Sequence, residues 1–379
     1  MMRDKLDPAL FALQRSAIRE FSMLAAKTPG CVRLTLGEPC EDTPAAVRDA
    51  AKQALDDGKT HYIANNGAPE LGAAIAAFER ERYGHTYSKD EIIVTSGATE
   101  ALFVALRGVL SPGDEIIIPS PAFVLYEQQA RLCGGVPVAA DTAPDGFQLR
   151  PERLLPLVTE RTKAILINSP HNPTGTVYDR ESIDTVCRIA GQRNIFVICD
   201  DVYRPIVYRD GLCFFSDLAA YKEKILLVQS FSKPYAMTGW RMGYLACHES
   251  IKERLELIHQ FLTVSTPAPF QDACIAALEQ DISPMIAAYR RRRDIALAAL
   301  DRMGLEVRVP DGAFYLFPSL GERGSDSAAF CRDLISNAGV ALTPGVCFGA
   351  EGYARLSYAC DERTLLTGLE RLEKYLNKG

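Results

Sequence analysis

Five short, unbroken apolar runs punctuate the chain between residues 90 and 250: Glu91-Ile92-Ile93-Val94, Glu115-Ile116-Ile117-Ile118, Ala164-Ile165-Leu166-Ile167, Ile195-Phe196-Val197-Ile198 and Ile225-Leu226-Leu227-Val228. Runs that do not alternate with polar residues suit strands covered on both faces. The intervals leave room for helices, and Glu181 to Ile189 has helical spacing. Such alternation predicts an α/β fold with a mainly parallel sheet flanked by helices. From about residue 280 the pattern changes. A helix is followed by Val307-Arg308-Val309, Ala313-Phe314-Tyr315-Leu316-Phe317, another helix and Tyr353-Ala354-Arg355-Leu356-Ser357, which reads as a smaller α+β unit.

Open α/β sheets bind ligands beyond the carboxyl ends of their strands. Polar, glycine-bearing or charged residues follow every run: Ser96-Gly97-Ala98-Thr99, Ser120-Pro121-Ala122-Phe123, Asn168 to Gly175, Asp200-Asp201-Val202-Tyr203 and Ser230 to Lys233. Five strand ends are thus expected to direct chemistry toward one edge.

At 379 residues the chain exceeds the roughly 250–300 residues at which single cores stop growing, so a large domain with a smaller one is expected. A formal charge of −6 argues against a nucleic-acid footprint and for small-molecule partners. The opening stretch Met1 to Glu20 mixes charges with apolar residues, so neither a signal peptide nor a membrane span is expected, and a cytoplasmic location follows. Eleven cysteines without a C-x-x-C pair, some within apolar runs as at Cys187 and Cys199, suit reduced core thiols. Five dispersed histidines supply no metal-ligand spacing, so no protein-bound metal is expected. The basic run Arg290 to Arg293 reads as a solvated helix face.

Lys233 stands just past an apolar run, between small hydroxyl residues and Pro234. In low-dielectric surroundings a lysine loses its proton and can attack a carbonyl, although a single lysine after a strand is most often a solvated side chain. Eight residues on, Arg241 lies within Gly239-Trp240-Arg241-Met242-Gly243-Tyr244, and arginine suits bidentate recognition of phosphate. Ser230, Lys233, Gly239, Arg241 and Gly243 spell S-x-S-K-x-x-x-x-x-G-x-R-x-G. With this motif the sequence resembles the class I/II aminotransferases, pyridoxal-phosphate enzymes of fold type I, from about Ile18 to the C-terminus.

The resemblance implies a large domain, residues 45–280, around a mainly parallel seven-stranded sheet, and a small α+β domain made from residues 1–44 and 281–379. It implies that Lys233 binds pyridoxal 5'-phosphate as a Schiff base, with Ser230 and Arg241 beside its phosphate. Gly97, Ala98 and Thr99 lie where a strand gives way to a helix expected over Ala101 to Val109, so free N–H groups face an anion, which in the family is that phosphate. By itself this cluster would more readily be a plain turn with Thr99 as N-cap. Asn168 to Gly175 looks like the family's N-P-x-N-P-T-G loop, placing Asn172 on the cofactor's phenolic oxygen; alone it could be only a turn. Asp200-Asp201-Val202-Tyr203 resembles D-E-x-Y, with Asp200 at the pyridine nitrogen and Tyr203 at the phenolic oxygen. Phe123 matches the aromatic position over the cofactor face, or is a core aromatic. Tyr62 resembles the tyrosine that reaches the partner's cofactor phosphate in a homodimer. Gly37, Asn172 and Arg355 fall where the family holds the substrate carboxylate, Arg355 as a bidentate clamp. Tyr126 and His171 are candidates for a place near the substrate, without assigned roles.

The expected reaction is a ping-pong transamination between an L-amino acid and a 2-oxo acid, 2-oxoglutarate being the natural acceptor, in which Lys233 both anchors the cofactor and moves the α-proton. A β-lyase on the same fold is the main rival. A cofactor-sensing regulator would need an added DNA-binding module, for which no room is expected, and no G-x-G-x-x-G follows a strand as a nicotinamide enzyme requires. Where some aspartate-preferring relatives carry a lysine after the phosphate-loop glycine, this chain has Thr99. Ser16 to Phe21 and Leu34 to Pro39 look like a bacterial subgroup that includes N-acetyl-diaminopimelate aminotransferases.

Overall fold

The computed structural model describes residues 17–377, together with 5, 6, 10, 11 and 13; Ser16 and most of the opening stretch lie outside the described residues. After a short strand β1 (Val32–Arg33), seven strands build the central sheet: β2 (Ile92–Thr95), β3 (Glu115–Ser120), β4 (Val136–Asp141), β5 (Thr162–Asn168), β6 (Phe196–Asp200), β7 (Ile225–Ser230) and β8 (Gly243–Cys247). Their spatial order is β2-β8-β7-β6-β5-β3-β4. β8 runs antiparallel to both of its neighbours, and the pairs among β3 to β7 are parallel. Six strands therefore point one way, and the five expected carboxyl ends meet at one edge.

Both faces of this sheet are covered, which accounts for runs without polar alternation. Ile92, Val94, Ile117, Ile165, Val197 and Leu227 pack on one face, and Ile93, Ile116, Leu166, Ile198, Val228 and Leu245 on the other. On the second face lies the helix Ala98–Val109, which buries Ala101, Leu102, Val104, Ala105 and Leu106. It begins three residues earlier than expected, directly at Gly97, and so brings its first turn to the sheet edge.

Two strands escaped the pattern. β4 is an edge strand with Pro137 in second place and an exposed Val136, so it has little to bury on either side. β8 is buried throughout but starts inside the glycine-rich arginine segment. Conversely, Val307 to Val309 is not a strand: Val309 is exposed and no neighbouring strand offers a ladder. The run Ala313 to Phe317 contracts to β9 (Tyr315–Leu316) because Ala313 turns the backbone at φ 55°.

A separate core joins the two ends of the chain. Phe21 and Leu34 pack with Tyr289, Phe314, Leu334, Leu356 and Leu369. Here β1 pairs in parallel with β10 (Val340–Ala341), while β11 (Thr343–Pro344) and β9 flank β12 (Ala354–Ser357) in antiparallel fashion. The helix Ser283–Arg302 carries the basic run, in which Arg290 and Arg291 are exposed, as a solvated face requires, while Arg292 and Arg293 are largely covered. Arg290 donates to the Tyr208 carbonyl at 2.8 Å, Arg291 pairs with Glu362 at 2.9 Å, Arg292 pairs with Glu41 at 2.8 Å, and Arg293 lies over the Tyr208 ring at 4.7 Å. The run also clamps its helix to three other segments. All eleven cysteines are free thiols; Cys199 is buried, whereas Cys187 is half-buried rather than a core residue. Among the described residues no helix is long and apolar enough to cross a membrane.

The strand β8 also meets the turn after β2 at close quarters. A Cβ added at Gly243 would lie 2.7 Å from the Gln229 carbonyl oxygen and 2.9 Å from the Ala98 nitrogen, both backbone atoms. Gly243→Ala is expected to lower stability by about 1–3 kcal/mol, as overpacking does, read as a lower urea midpoint with an unchanged slope. An unaltered midpoint would mean that this approach is not tight.

Candidate active site

A cavity of about 260 Å³ opens at the carboxyl edge of the sheet. It gathers Gly37, Ala98, Thr99, Phe123, Asn172, Asp200, Tyr203, Ser230, Lys233, Arg241 and Arg355 from segments far apart in sequence. Gly97 sits immediately behind, and of the expected site residues only Tyr62 stands elsewhere, 86% exposed on the surface.

At the floor of the cavity is Asp200, the last residue of β6. Burial pushes its carboxyl up to about 6, against the opposing hydrogen bonds from Tyr126 and the Val202 N–H and the charge of Lys233. The Tyr126 hydroxyl donates to Oδ2 at 2.7 Å, while Oδ1 receives only a long contact, 3.4 Å, from Val202. A carboxylate so placed favours any cation that reaches Oδ1. Asn168, one strand over, fixes this corner: its side-chain amide donates to the Asp200 carbonyl at 2.7 Å and its Oδ1 accepts from the Asn172 N–H at 2.8 Å. The neighbouring Asp201 lies in a different network, accepting from Ser216 and facing Arg204 at 3.6 Å.

Lys233 enters from the loop after β7, where the Ser232 N–H donates to the Ser230 hydroxyl at 3.0 Å. Its ammonium donates to the Gly37 carbonyl. Removal from water pulls the amine down to about 8; Glu38 and Asp200 oppose the shift, and Arg355 and Arg241 add to it. This lysine is therefore a usable nucleophile and base near neutral pH.

One end of the cavity is an anion cup. Gly97 is the N-cap of the helix Ala98–Val109 at φ 77°, with no side chain competing for the first N–H groups. A Cβ there would lie 2.7 Å from the Arg241 guanidinium, so glycine permits the arginine to close over the turn. Arg241 itself adopts φ 56° and donates to the Thr238 carbonyl at 2.9 Å. The helix N-terminus, the guanidinium and Ser230 line the same end of the cavity, a combination suited to an anion.

The opposite wall is Arg355, in the middle of β12. It donates to Asn172 Oδ1 at 2.8 Å and to the Thr35 carbonyl at 2.9 Å, and lies over the rings of Tyr315 and Phe348 at 4.5 and 4.9 Å. Its Nε is buried without a partner. An unpaired buried guanidinium nitrogen is costly unless an anion completes it.

A lysine with a lowered pKa, a buried carboxylate, an anion cup and a second anion-seeking arginine form one constellation, and it has close counterparts. The family model for aminotransferase class I and II matches residues 29–372. This chain belongs to the class I and II aminotransferases. It is 38% identical to the putative aminotransferase YugH of Bacillus subtilis over 97% of both chains, and 36% identical to a probable N-acetyl-LL-diaminopimelate aminotransferase of the same organism, covering 100% of this chain and 97% of the relative. The crystal structure of aspartate aminotransferase from Thermotoga maritima superposes with a TM-score of 0.94 at 35% identity, covering 98% of this chain and 100% of that one. The aminotransferase is a pyridoxal-phosphate enzyme that transfers amino groups between amino acids and 2-oxo acids, and the lyase reading is not favoured. Its cavity suits that cofactor: a carboxylate for a ring nitrogen, a lysine for an aldehyde and a cup for a phosphate.

The structure adds to the aminotransferase site residues that the sequence did not single out. Tyr126, left without a role, is the donor that holds Asp200. Tyr315 lines the cavity, and its hydroxyl lies 2.8 Å from that of Tyr203. Burial raises the Tyr203 phenol well above its ordinary value, so it acts as a hydrogen-bonding group and not as a base. His171 is buried outside the cavity lining, 2.8 Å from the Thr174 hydroxyl, and desolvation lowers it to about 4. It is neutral loop packing. Hydrogen-bond partners across distant segments leave no local signal, although Tyr126, one turn after Phe123, could have been found from its place beside that ring.

The lowered pKa of Lys233 fixes a sign. Below pH 8 its amine is increasingly protonated, and reactivity rises as pH passes about 8. In the cofactor-free protein, reductive methylation of the Lys233 peptide, followed by mass spectrometry, should rise with a midpoint near 8, against about 10.4 for ordinary lysines. A midpoint matching the surface lysines would remove the desolvation argument.

Proposed function

We propose that Lys233 holds the pyridoxal-phosphate aldehyde covalently and, when released, carries the α-proton of the substrate. What supports this most is that Lys233, held near pKa 8, shares one cavity with the buried Asp200 carboxylate and the unsatisfied Nε of Arg355. Asp200 holds the pyridine nitrogen protonated, Asn172 and Tyr203 hydrogen-bond the phenolic oxygen, and Phe123 covers the ring face. Gly97, Ala98, Thr99, Ser230 and Arg241 receive the phosphate. Arg355, with Asn172 and Gly37, orients the substrate α-carboxylate. Bound here, the cofactor supplies an electron sink for negative charge at the substrate α-carbon. Lys233, alternating between its protonated and neutral forms, takes a proton from one carbon and returns it at another, while the aromatic walls exclude water.

The overall reaction runs as two half-reactions, with an L-amino acid as donor and 2-oxoglutarate as acceptor. Among the described residues lining the cavity the cations are Lys233, Arg241 and Arg355, each already assigned. Thr99 stands where a lysine could have caught a distal carboxylate, which disfavours strict aspartate specificity.

The same reading extends to assembly. Residues 45–280 form the large domain, and 1–44 with 281–379 the small one. The enzyme is a cytoplasmic homodimer in which Tyr62 reaches the partner's phosphate site. Tyr62 and Phe261 are 86% and 85% exposed, and Leu262 and Val264 are exposed beside them, an apolar group suited to burial against a second copy.

Two outcomes are expected. Lys233→Ala loses amino-group exchange, and borohydride treatment of the wild-type holoenzyme fixes the chromophore to the Lys233 peptide; recovery of the label on another lysine would sink the assignment. Arg355→Lys replaces a planar fork by a point charge that cannot serve Asn172, Thr35 and a carboxylate together. Its KM for amino acids should rise by roughly 10–100-fold with a smaller change in kcat, from the loss of a charged hydrogen bond. Steady-state kinetics with an unchanged KM would place the carboxylate elsewhere.

A further inference from the structure

The phosphate-facing turn carries an electrostatic problem. Glu100 lies in the first turn of the helix Ala98–Val109, and its Oε2 accepts from the Ser96 N–H at 2.5 Å. A carboxylate in that turn repels the anion which the turn is otherwise built to receive. Its other oxygen, Oε1, is held by His259 Nδ1 at 2.8 Å and by the Thr263 hydroxyl at 2.6 Å, both from the helix Glu249–Thr263. Burial alone would raise this carboxyl, and the bonds from His259, Thr263 and Ser96 outweigh it, so Glu100 stays ionised.

His259 is fully buried, and its Nε2 lies 2.7 Å from the Asn65 backbone carbonyl. Each ring nitrogen thus faces an acceptor, a carboxylate on one side and a carbonyl on the other. The ring satisfies both only by donating from both nitrogens. Asn65 also donates through Nδ2 to the Val264 carbonyl at 2.6 Å. Val264 is held at φ 67°, a conformation that a β-branched residue adopts only under constraint. An unbroken chain of contacts therefore runs from the Ser96–Thr99 turn through Glu100 and His259 to the loop that bears Tyr62.

We propose that His259 is a positioning residue for the cofactor phosphate: it holds the Glu100 carboxylate away from the phosphate end of the cavity and locks the Ser96–Thr99 turn to the Tyr62 loop. The proposal rests on the reading of that turn as the phosphate site. It touches neither substrate nor reacting atoms, so its effect must be confined to what the phosphate contributes.

Pyridoxal, which lacks the phosphate, separates this role from general damage. Protein stripped of cofactor from the holoenzyme is titrated with pyridoxal 5'-phosphate, with pyridoxal and with inorganic phosphate. His259→Gln can donate to Glu100 or to Asn65 but not to both. It should weaken pyridoxal 5'-phosphate and inorganic phosphate by about tenfold, the scale of one charged hydrogen bond, and leave pyridoxal affinity unchanged. Thr263→Val keeps the imidazole, removes one bond to Glu100 and should show a smaller loss with the same selectivity, which decides the matter if His259→Gln fails to fold. Equal weakening of pyridoxal and its phosphate, or no weakening in either variant, overturns the proposal. Wild-type protein that binds pyridoxal as tightly as pyridoxal 5'-phosphate overturns instead the phosphate-site reading beneath it.

Discussion

Arg355 is the point on which the two ends of the chain and the carboxyl edge of the central sheet converge. Its guanidinium ties β12 to the Thr35 carbonyl near the N-terminus and to Asn172 in the loop after β5. The Ser357 N–H donates to the Leu34 carbonyl at 2.9 Å, so the N-terminal segment lies beside β12 just before it enters the cavity as Gly37. Three segments that are remote in sequence thus share one charge. Because the cation is buried, its remaining donor has a strong preference for an anion, and binding of that anion completes a contact that folding leaves open.

That preference acts together with the fields of the other charged groups. Lys233, Arg241 and Arg355 surround the cavity, while Asp200 at its floor and Glu38 near its mouth oppose them. The arginines help to pull the Lys233 amine down, and burial pushes the Asp200 carboxyl up, so the two titrating groups are moved toward each other and toward neutral pH. On the proposed reading the two shifts serve different atoms, Asp200 the ring nitrogen and Lys233 the carbons between which the proton moves. The shifts are produced by the fold, since both groups sit at strand or loop ends that the covered sheet holds away from water.

How much of this was legible in the sequence depends on the range of the signal. Strands buried on both faces announce themselves as apolar runs, and the residues just after them gather at the sheet's carboxyl edge, so Asp200, Lys233, Asn172 and the Gly97 turn could be expected at one cavity from the sequence. β4 was missed because an edge strand has less to bury, and β8 because glycines that permit close backbone approach also dilute the apolar run. Val307 to Val309 has the composition of a strand but no partner ladder, and a strand exists only through its neighbour. Within the run 290–293 the exposed Arg290 and Arg291 fit the solvated reading, but the covering of Arg292 and Arg293 by Glu41 and Tyr208 could not be read because those partners are remote in sequence. Tyr126 has a local mark only in its place one turn after Phe123, and its bond to Asp200, like those of His259 to Glu100 and Asn65, joins elements remote in sequence and leaves no local signal.

The Tyr126 hydrogen bond also links two parts of the site that would otherwise be independent. The Phe123 ring packs edge-on against Tyr126 with centroids 5.8 Å apart, and the Tyr126 N–H donates to the Phe123 carbonyl at 3.1 Å. The same tyrosine reaches across the sheet edge to the Asp200 carboxylate. Since the phenol is rigid apart from two torsions, a shift of Phe123 moves the hydroxyl that donates to Asp200. The aromatic wall over the cavity and the carboxylate at its floor are therefore set by one side chain.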